Sequence, residues 1–354
     1  MLQNFNGIKL CWKSGIFGFL ILALSAFSIV AYSQKDEEPA KQERKKQKPN
    51  LASSSPQESS GQQKGFKIGV SVDLVLMYVT IIDAKGQFVP GLKQDRFKVY
   101  EDGVQQSISS FAQEDVPVSM GILLDLSLSM RNKIDKVNKS ALAFIRACNP
   151  QDQTFLIGFN ENTELLQDFT SDIDEITDSL DNAAVNGSTA LYDAIYLGVQ
   201  KAHTGSKPKK AIVVITDGED RESYYSLDDL LSKVQETDVQ VFCIGFLNQV
   251  PKKSLFGGFS KSVPERAHDA LQKVSEETGG KAFFPAELTS LPGIVSEIAT
   301  ELRSQYAVGY YSTNSARDGS FRRVKIEVAG SSAAGNLVRY RRGYYAPKAD
   351  ITQK

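Results

Sequence analysis

Two apolar runs constrain the fold more than any other feature of the chain. Val118–Leu124 ends at Asp125, and Ala211–Thr216 ends at Asp217. Short runs that stay apolar on both alternations suit strands covered on both faces, as in a parallel sheet flanked by helices. The intervening sequence keeps that rhythm. A helical pattern over 133–148 places Ile134, Val137, Ala141, Leu142 and Ile145 on one face, and strand patterns follow at Thr154–Asn160 and Thr163–Phe169. Helices are expected over 172–184, 189–203, 226–236, 265–278 and 288–303, with strands at Val239–Phe246 and 281–284. The carboxylates of Asp172, Asp174 and Glu175 suit the start of the helix at 172–184. The alternation predicts a doubly wound, mostly parallel α/β sheet with helices on both faces. The link between Asn160 and Thr163 is too short for a parallel crossover, so that pair must be antiparallel.

The flanks read differently. Residues 68–82, Asp95–Glu101 and Val104–Phe111 are β-type, with Asp102-Gly103 as a hairpin signal. After Ser304 the β character returns in Gln305–Ser312, Phe321–Ala329 and Leu337–Tyr344, where Val324, Ile326 and Val328 alternate with Arg323, Lys325 and Glu327. Neither three-strand piece is large enough to stand alone. The simplest solution pairs them, so that both chain ends build one small β-sandwich into which the α/β domain is inserted. The expected organisation is a signal peptide or membrane anchor at 1–33 and a linker at 34–65. The first sandwich part follows at 66–115, the α/β domain at 116–303, the second sandwich part at 304–347 and a tail at 348–354.

The N-terminus predicts export. Lys9 and Lys13 precede an apolar run from Gly15 to Tyr32, with small residues at Ala31 and Ser33. Cleavage after Ser33 makes the protein periplasmic or secreted; an uncleaved run would anchor it facing outward, attached to the membrane through this segment. Residues 34–65 are rich in Lys, Gln, Glu, Ser and Pro and hold too little apolar surface to fold. With a net charge of −1 and no basic stripe, the chain offers no footprint for nucleic acid. Cys148 and Cys243 fit neither a zinc spacing nor a redox motif and read as small buried hydrophobes.

Three motifs carry chemistry. Asp125-Leu126-Ser127-Leu128-Ser129 follows the first core strand, Gly187-Ser188-Thr189 leads into a helix, and Thr216-Asp217-Gly218 ends the fourth core strand. In open α/β sheets ligands bind beyond the carboxyl ends of strands where the strand order reverses, and the usual order puts the first and fourth strands side by side there. The three motifs would then meet in one crevice. Carboxylates and hydroxyls are hard oxygen donors suited to Mg²⁺, Mn²⁺ or Ca²⁺. Asp125 and Asp217 only balance a divalent charge, which leaves a coordination position for water or an external acidic group.

In this order on this strand pattern, DLSLSM, GST and TDG resemble the von Willebrand factor A-type domain, whose metal-ion-dependent adhesion site (MIDAS) consists of a DxSxS loop, a distant Thr and a distant Asp. The resemblance covers about residues 116–303. ALYDAI, EETGGKAFF, QYAVGYY and YRRGYYAP add a looser likeness to bacterial exported proteins of this group. It implies that Ser127, Ser129 and Thr189 supply hydroxyl ligands, that Asp125 and Asp217 bind directly or through water, and that a protein partner's Asp or Glu completes the shell. Leu128 stands where such proteins commonly carry Gly. Ser188, Asp193 and Glu219 are neighbours able to orient the site or touch the partner. The competing readings are a metal-free scaffold and a metal-assisted hydrolase. Against an enzyme, His203 and His268 are the only histidines, and no HExxH, GxSxG or phosphate-binding loop is present.

Overall fold

The computed structural model describes residues 73–113, 115–247, 262–331 and 335–349. The expected export segment and linker lie outside them, as do the start of the first β run and most of the tail. Among the described residues no helix is long and apolar enough to cross a membrane.

The chain first lays down β1 (Leu74–Ile82), β2 (Phe97–Glu101), β3 (Val104–Gln106) and β4 (Ile108–Ala112). The α/β part follows as β5 (Val118–Asp125), α1 (Ile134–Ala147), β6 (Gln153–Phe159), β7 (Thr163–Thr170), α2 (Ile173–Asp181) and α3 (Leu191–His203). It continues with β8 (Lys209–Thr216), α4 (Leu227–Gln235), β9 (Gln240–Gly245), α5 (Val263–Thr278), β10 (Ala282–Phe283) and α6 (Leu291–Ser304). The closing strands are β11 (Tyr306–Tyr311), β12 (Phe321–Val328), β13 (Leu337–Arg339) and β14 (Gly343–Tyr345).

The central sheet has the order β10-β9-β8-β5-β6-β7. All pairs are parallel except β6 with β7, so the antiparallel edge expected from the short turn is present. Every residue of β5 is buried, as its unbroken apolar run requires. One face packs α1, α2 and α6 around Ile122, Leu124, Val213 and Phe242; the other packs α3, α4 and α5 around Leu123, Ile212, Val214 and Val241. Helix starts follow local chemistry. Asp172 accepts from the Asp174 N–H to open α2, and Ser226 with Asp229 forms a capping box at α4. β5 lies between β8 and β6, so the order reverses beside Asp125.

Both chain ends share two four-stranded antiparallel sheets, β13-β1-β11-β4 and β14-β12-β2-β3, which enclose Val79, Val99, Tyr306, Val308, Tyr310 and Ile326. Two runs expected as single strands each switch sheets. Val104–Phe111 breaks at Ser107 into β3 and β4, and Leu337–Tyr344 breaks into β13 and β14. A strand that turns a sandwich corner must leave one ladder to join the other. Inside, Glu101 accepts from the hydroxyls of Tyr310 at 3.0 Å and Tyr344 at 2.8 Å and pairs with Arg322. These tyrosines are therefore core, whereas Tyr311 and Tyr345 are exposed. Both cysteines are free; Cys243 is buried and Cys148 half-buried.

Polar side chains stitch the sandwich to the α/β part. Buried Glu301 of α6 accepts from Thr80 of β1 at 3.0 Å and from Arg339 of β13 at 2.6 Å. Lys209, at the start of β8, is fully buried, donates to the Leu302 carbonyl at 2.5 Å and stands 4.6 Å over the Tyr78 ring. Burial pushes its ammonium down to about 8, against partial support from Asp115, Asp152 and Glu301. Below that value the fold must hold a desolvated charge. Between it and the ordinary lysine value the unfolded chain binds the extra proton, so stability rises with pH across that window. We predict that urea unfolding of the wild type gains about 1–3 kcal/mol relative to Lys209→Met between about pH 8 and 10. Parallel profiles for the two proteins would exclude a buried, depressed lysine.

Candidate functional site

The site is assembled at the carboxyl ends of β5 and β8. Asp125 closes β5 and is fully buried. Its Oδ1 accepts from the Ser127 N–H at 2.9 Å and its Oδ2 from the Thr216 hydroxyl at 2.6 Å. Burial raises the Asp125 carboxyl above its usual range, and these hydrogen bonds pull it partly back. The chain then enters a short 3-10 turn, Leu128–Met130, that turns Met130 into the core and leaves Leu128 exposed. The Ser127 and Ser129 hydroxyls stand 3.0 Å apart, and Ser129 Oγ donates to Asp217 Oδ1 at 2.7 Å. The Asp217 side chain is 2% exposed, and its other oxygen receives the Lys133 ammonium.

Thr189 reaches the same place on a separate loop. Asn186 N–H donates to the Leu126 carbonyl at 2.9 Å, and Leu128 N–H to the Gly187 carbonyl at 3.2 Å, so the two loops are tied through their backbones. Gly187 has φ +71°, and a Cβ there would fall 1.4 Å from Glu161 Oε2, the oxygen that accepts from the Ser188 N–H at 2.8 Å. The Thr189 carbonyl accepts from the N–H groups of Arg221 and Glu222. Helix α3 therefore starts at Leu191, two residues after the expected 189: the threonine is held in the preceding loop by its neighbours instead of entering the helix. A Cβ on Gly218 would stand 3.4 Å from Thr189 Oγ1 and 3.9 Å from Asp125 Oδ2, so both oxygens border one small space.

Asp125, Ser127, Ser129 and Asp217 are thus joined by a continuous run of hydrogen bonds, with Thr189 beside Asp125 across Gly218. The candidate neighbours fall elsewhere. Asp193 accepts from the N–H groups of Tyr224 at 3.0 Å and Tyr225 at 2.9 Å, which pins the loop after β8 onto α3. Glu219 pairs with Arg266 of α5 at 2.8 Å. The Leu128 side chain points to solvent and does not crowd the oxygens. Sequence reasoning passed over the roles of Thr216, Glu161 and Lys133. Thr216 was legible as a hydroxyl one residue before Asp217 on the strand beside β5. Lys133 lies four residues after Ser129, a spacing that reads first as the start of α1.

Among the described residues, no three His, Cys, Asp or Glu side chains gather where they could hold a metal. The donor set at the strand ends is two buried carboxylates with three hydroxyls nearby, which fits a small hard dication. His203 faces Asp238 and His268 stacks on Phe284, both on helix surfaces away from the site.

A family model described as the von Willebrand factor type A domain matches residues 120–297. A comparison with curated proteins found no match. Among solved structures, the chain is similar to an aerotolerance-related membrane protein from Bacteroides fragilis NCTC 9343, at 20% identity and a TM-score of 0.42 over 52% of this chain and 98% of that one. It is also similar to a von Willebrand factor type A protein from Catenulispora acidiphila, at 12% identity and a TM-score of 0.44 over 79% and 75%. A third is proximal thread matrix protein 1 from the mussel byssus, with a zinc-occupied MIDAS motif, at 13% identity and a TM-score of 0.44 over 56% and 48%.

The loop geometry makes Gly187 a sensitive position. Gly187→Ala combines a positive φ with displacement of Glu161. It should lower stability by about 1–3 kcal/mol. The Ser188–Glu161 hydrogen bond should be lost with it, read as faster amide exchange at Ser188. Unchanged exchange and stability would mean that this turn does not hold Thr189 in place.

Proposed function

Because the chain belongs to the von Willebrand factor type A domain family, we propose that it is an exported protein that binds a protein partner through a divalent cation. Asp125, Ser127, Ser129, Thr189 and Asp217 would hold the cation. The carrying observation is the hydrogen-bonded run from buried Asp125 through Ser127 and the exposed Ser129 to the Asp217 carboxylate, at the point where strand order reverses. A bound Mg²⁺, Mn²⁺ or Ca²⁺ would supply the positive charge that two buried carboxylates lack, and an open position for a partner's Asp or Glu.

The chain's own residues prepare that event. Thr216 and the Ser127 N–H fix the Asp125 carboxylate, so little ordering is left for the moment of binding. Asp217, withdrawn from water, interacts with charge at short range with little screening by solvent. Leu128 offers an apolar contact at the rim, where a partner that covered it would also exclude water from the carboxylate bond. The N-terminal apolar run supports export, with membrane attachment if it is retained. The metal-free scaffold reading has one observation in its favour: Lys133 already provides a cation to Asp217.

Titrating Mg²⁺, Mn²⁺ and Ca²⁺ into chelator-treated protein tests the proposal. Saturation of the wild type at about 100 times Kd should add about 2.7 kcal/mol, a rise of several degrees in Tm. Asp125→Asn keeps the shape and removes the buried charge. Its Tm in chelator should stay within about 2 °C of wild type, while the metal-induced rise disappears. A wild type that responds to none of the three cations would sink the proposal and leave the scaffold reading in place.

A further inference from the structure

Lys133 is placed where a cation-binding site would be expected to exclude a fixed positive charge. Its Nζ rests on Asp217 Oδ2 and lies 3.3 Å from the Ser129 carbonyl oxygen. The other Asp217 oxygen already accepts from Ser129, so among the described residues both side-chain partners of this carboxylate come from the turn that follows β5. The Lys133 backbone is fixed. Its N–H donates to the Met130 carbonyl at 2.8 Å, and its carbonyl accepts from Lys136 and Val137 at 3.0 and 3.1 Å. Its side chain is not enclosed: it is 31% exposed, against 2% for Asp217. A flexible four-carbon stem on a fixed backbone, with one side open to water, can swing out without disturbing α1.

We propose that Lys133 is a built-in competitor for the divalent cation, which reaches Asp217 only by displacing the ammonium. The inference rests on the cation-binding reading above and specifies how that site is regulated. The charge balance gives it direction. Asp125 and Asp217 carry two negative charges, and the ammonium answers one of them. A monovalent cation offers nothing that Lys133 does not already supply, whereas a dication can satisfy both carboxylates together. The competitor thus raises the concentration at which the site fills and screens out monovalent ions. It also keeps Asp217 paired when no cation is bound, which avoids the cost of a lone buried carboxylate.

The test uses the full chain, dialysed against chelator and titrated calorimetrically with MnCl₂ and MgCl₂. The variants are Lys133→Met, Lys133→Gln and Lys133→Arg, with Lys136→Met as an exposed control for the same change in net charge. Lys133→Met and Lys133→Gln should bind the dications at least about tenfold more tightly than wild type. Their Tm in chelator should fall below that of wild type, while their metal-saturated Tm matches it. Lys133→Arg and Lys136→Met should stay within about twofold of wild-type affinity. If wild type binds and the neutral variants bind no better, Lys133 is no competitor and the cation site stands. Competition is equally overturned if Lys136→Met tightens binding as much, since the effect is then one of overall charge. If no protein in the set binds, the cation reading and this inference fall together. If only the neutral variants bind, Lys133 blocks the site outright: the cation reading fails for the wild-type chain, and competition, which requires a dication to displace the ammonium, fails with it.

Discussion

Two carboxylates withdrawn from water at the ends of neighbouring strands set the terms for everything around them. Asp125 ends β5, Asp217 follows β8, and these strands run side by side in parallel register. Like charges close together in a poorly hydrated place oppose folding unless each is answered by donors or cations. The surrounding structure supplies such answers: the Ser127 N–H and Thr216 hydroxyl for Asp125, and the Ser129 hydroxyl and Lys133 ammonium for Asp217. The raised Asp125 carboxyl records that the compensation is incomplete. On the cation-binding reading proposed above, a dication would supply the charge that this compensation leaves out.

The rest of the fold keeps those strand ends still. Backbone hydrogen bonds lock the loop carrying Thr189 between the loop after β5 and the β6–β7 turn, with Asn186 and Leu128 as cross-links. Asp193, Ser223 and Asp220 bind the loop after β8 to the start of α3. At the far side, Glu301 and Lys209 tie α6 and β8 to the sandwich formed by both chain ends. The strands that lead into and out of the α/β part, β4 and β11, pair directly and antiparallel, with β1 on the other side of β11. The inserted domain is thus held at both ends by one sandwich. This limits how far α6 can shift without breaking buried polar contacts.

Much of this could be read from residue patterns, and the parts that could not share a cause. Strand identity and the antiparallel edge followed from apolar runs and turn length, because burial and chain reach decide them. The expected meeting of the first and fourth strands came from the usual order of doubly wound sheets. The two sheet-switching runs were invisible, since a corner in a sandwich is set by the twist of partner strands and not by local composition. Thr189 was expected in a helix because its neighbours have helical spacing. It stays out because its carbonyl is claimed by Arg221 and Glu222, distant in sequence, about which local propensity is silent. The meeting of Asp125 with Asp217 was legible because both end apolar runs. The role of Lys133 was not, since nothing in its neighbourhood separates a lysine aimed inward from one on a solvated helix.

Leu128 shows how backbone geometry reallocates a sequence motif. In a DxSxS loop the alternate residues face the carboxylates, and the intervening ones must go elsewhere. Here Leu126 is buried in the core, and the 3-10 turn sends Leu128 into solvent at 52% exposure. A side chain that points away from the oxygens exerts no steric pressure on them, so a small residue at 128 is not a requirement of this site's interior. On the proposed reading, what Leu128 would change is the surface that an incoming carboxylate crosses. An aliphatic group at that rim lowers the local dielectric once covered and strengthens any ionic contact beneath it. It also opposes partners that would approach with a charged or strongly hydrated group at that point. On the proposed reading, the departure from the family pattern would bear on which partners fit, with the oxygens left uncrowded by the exposed Leu128 side chain.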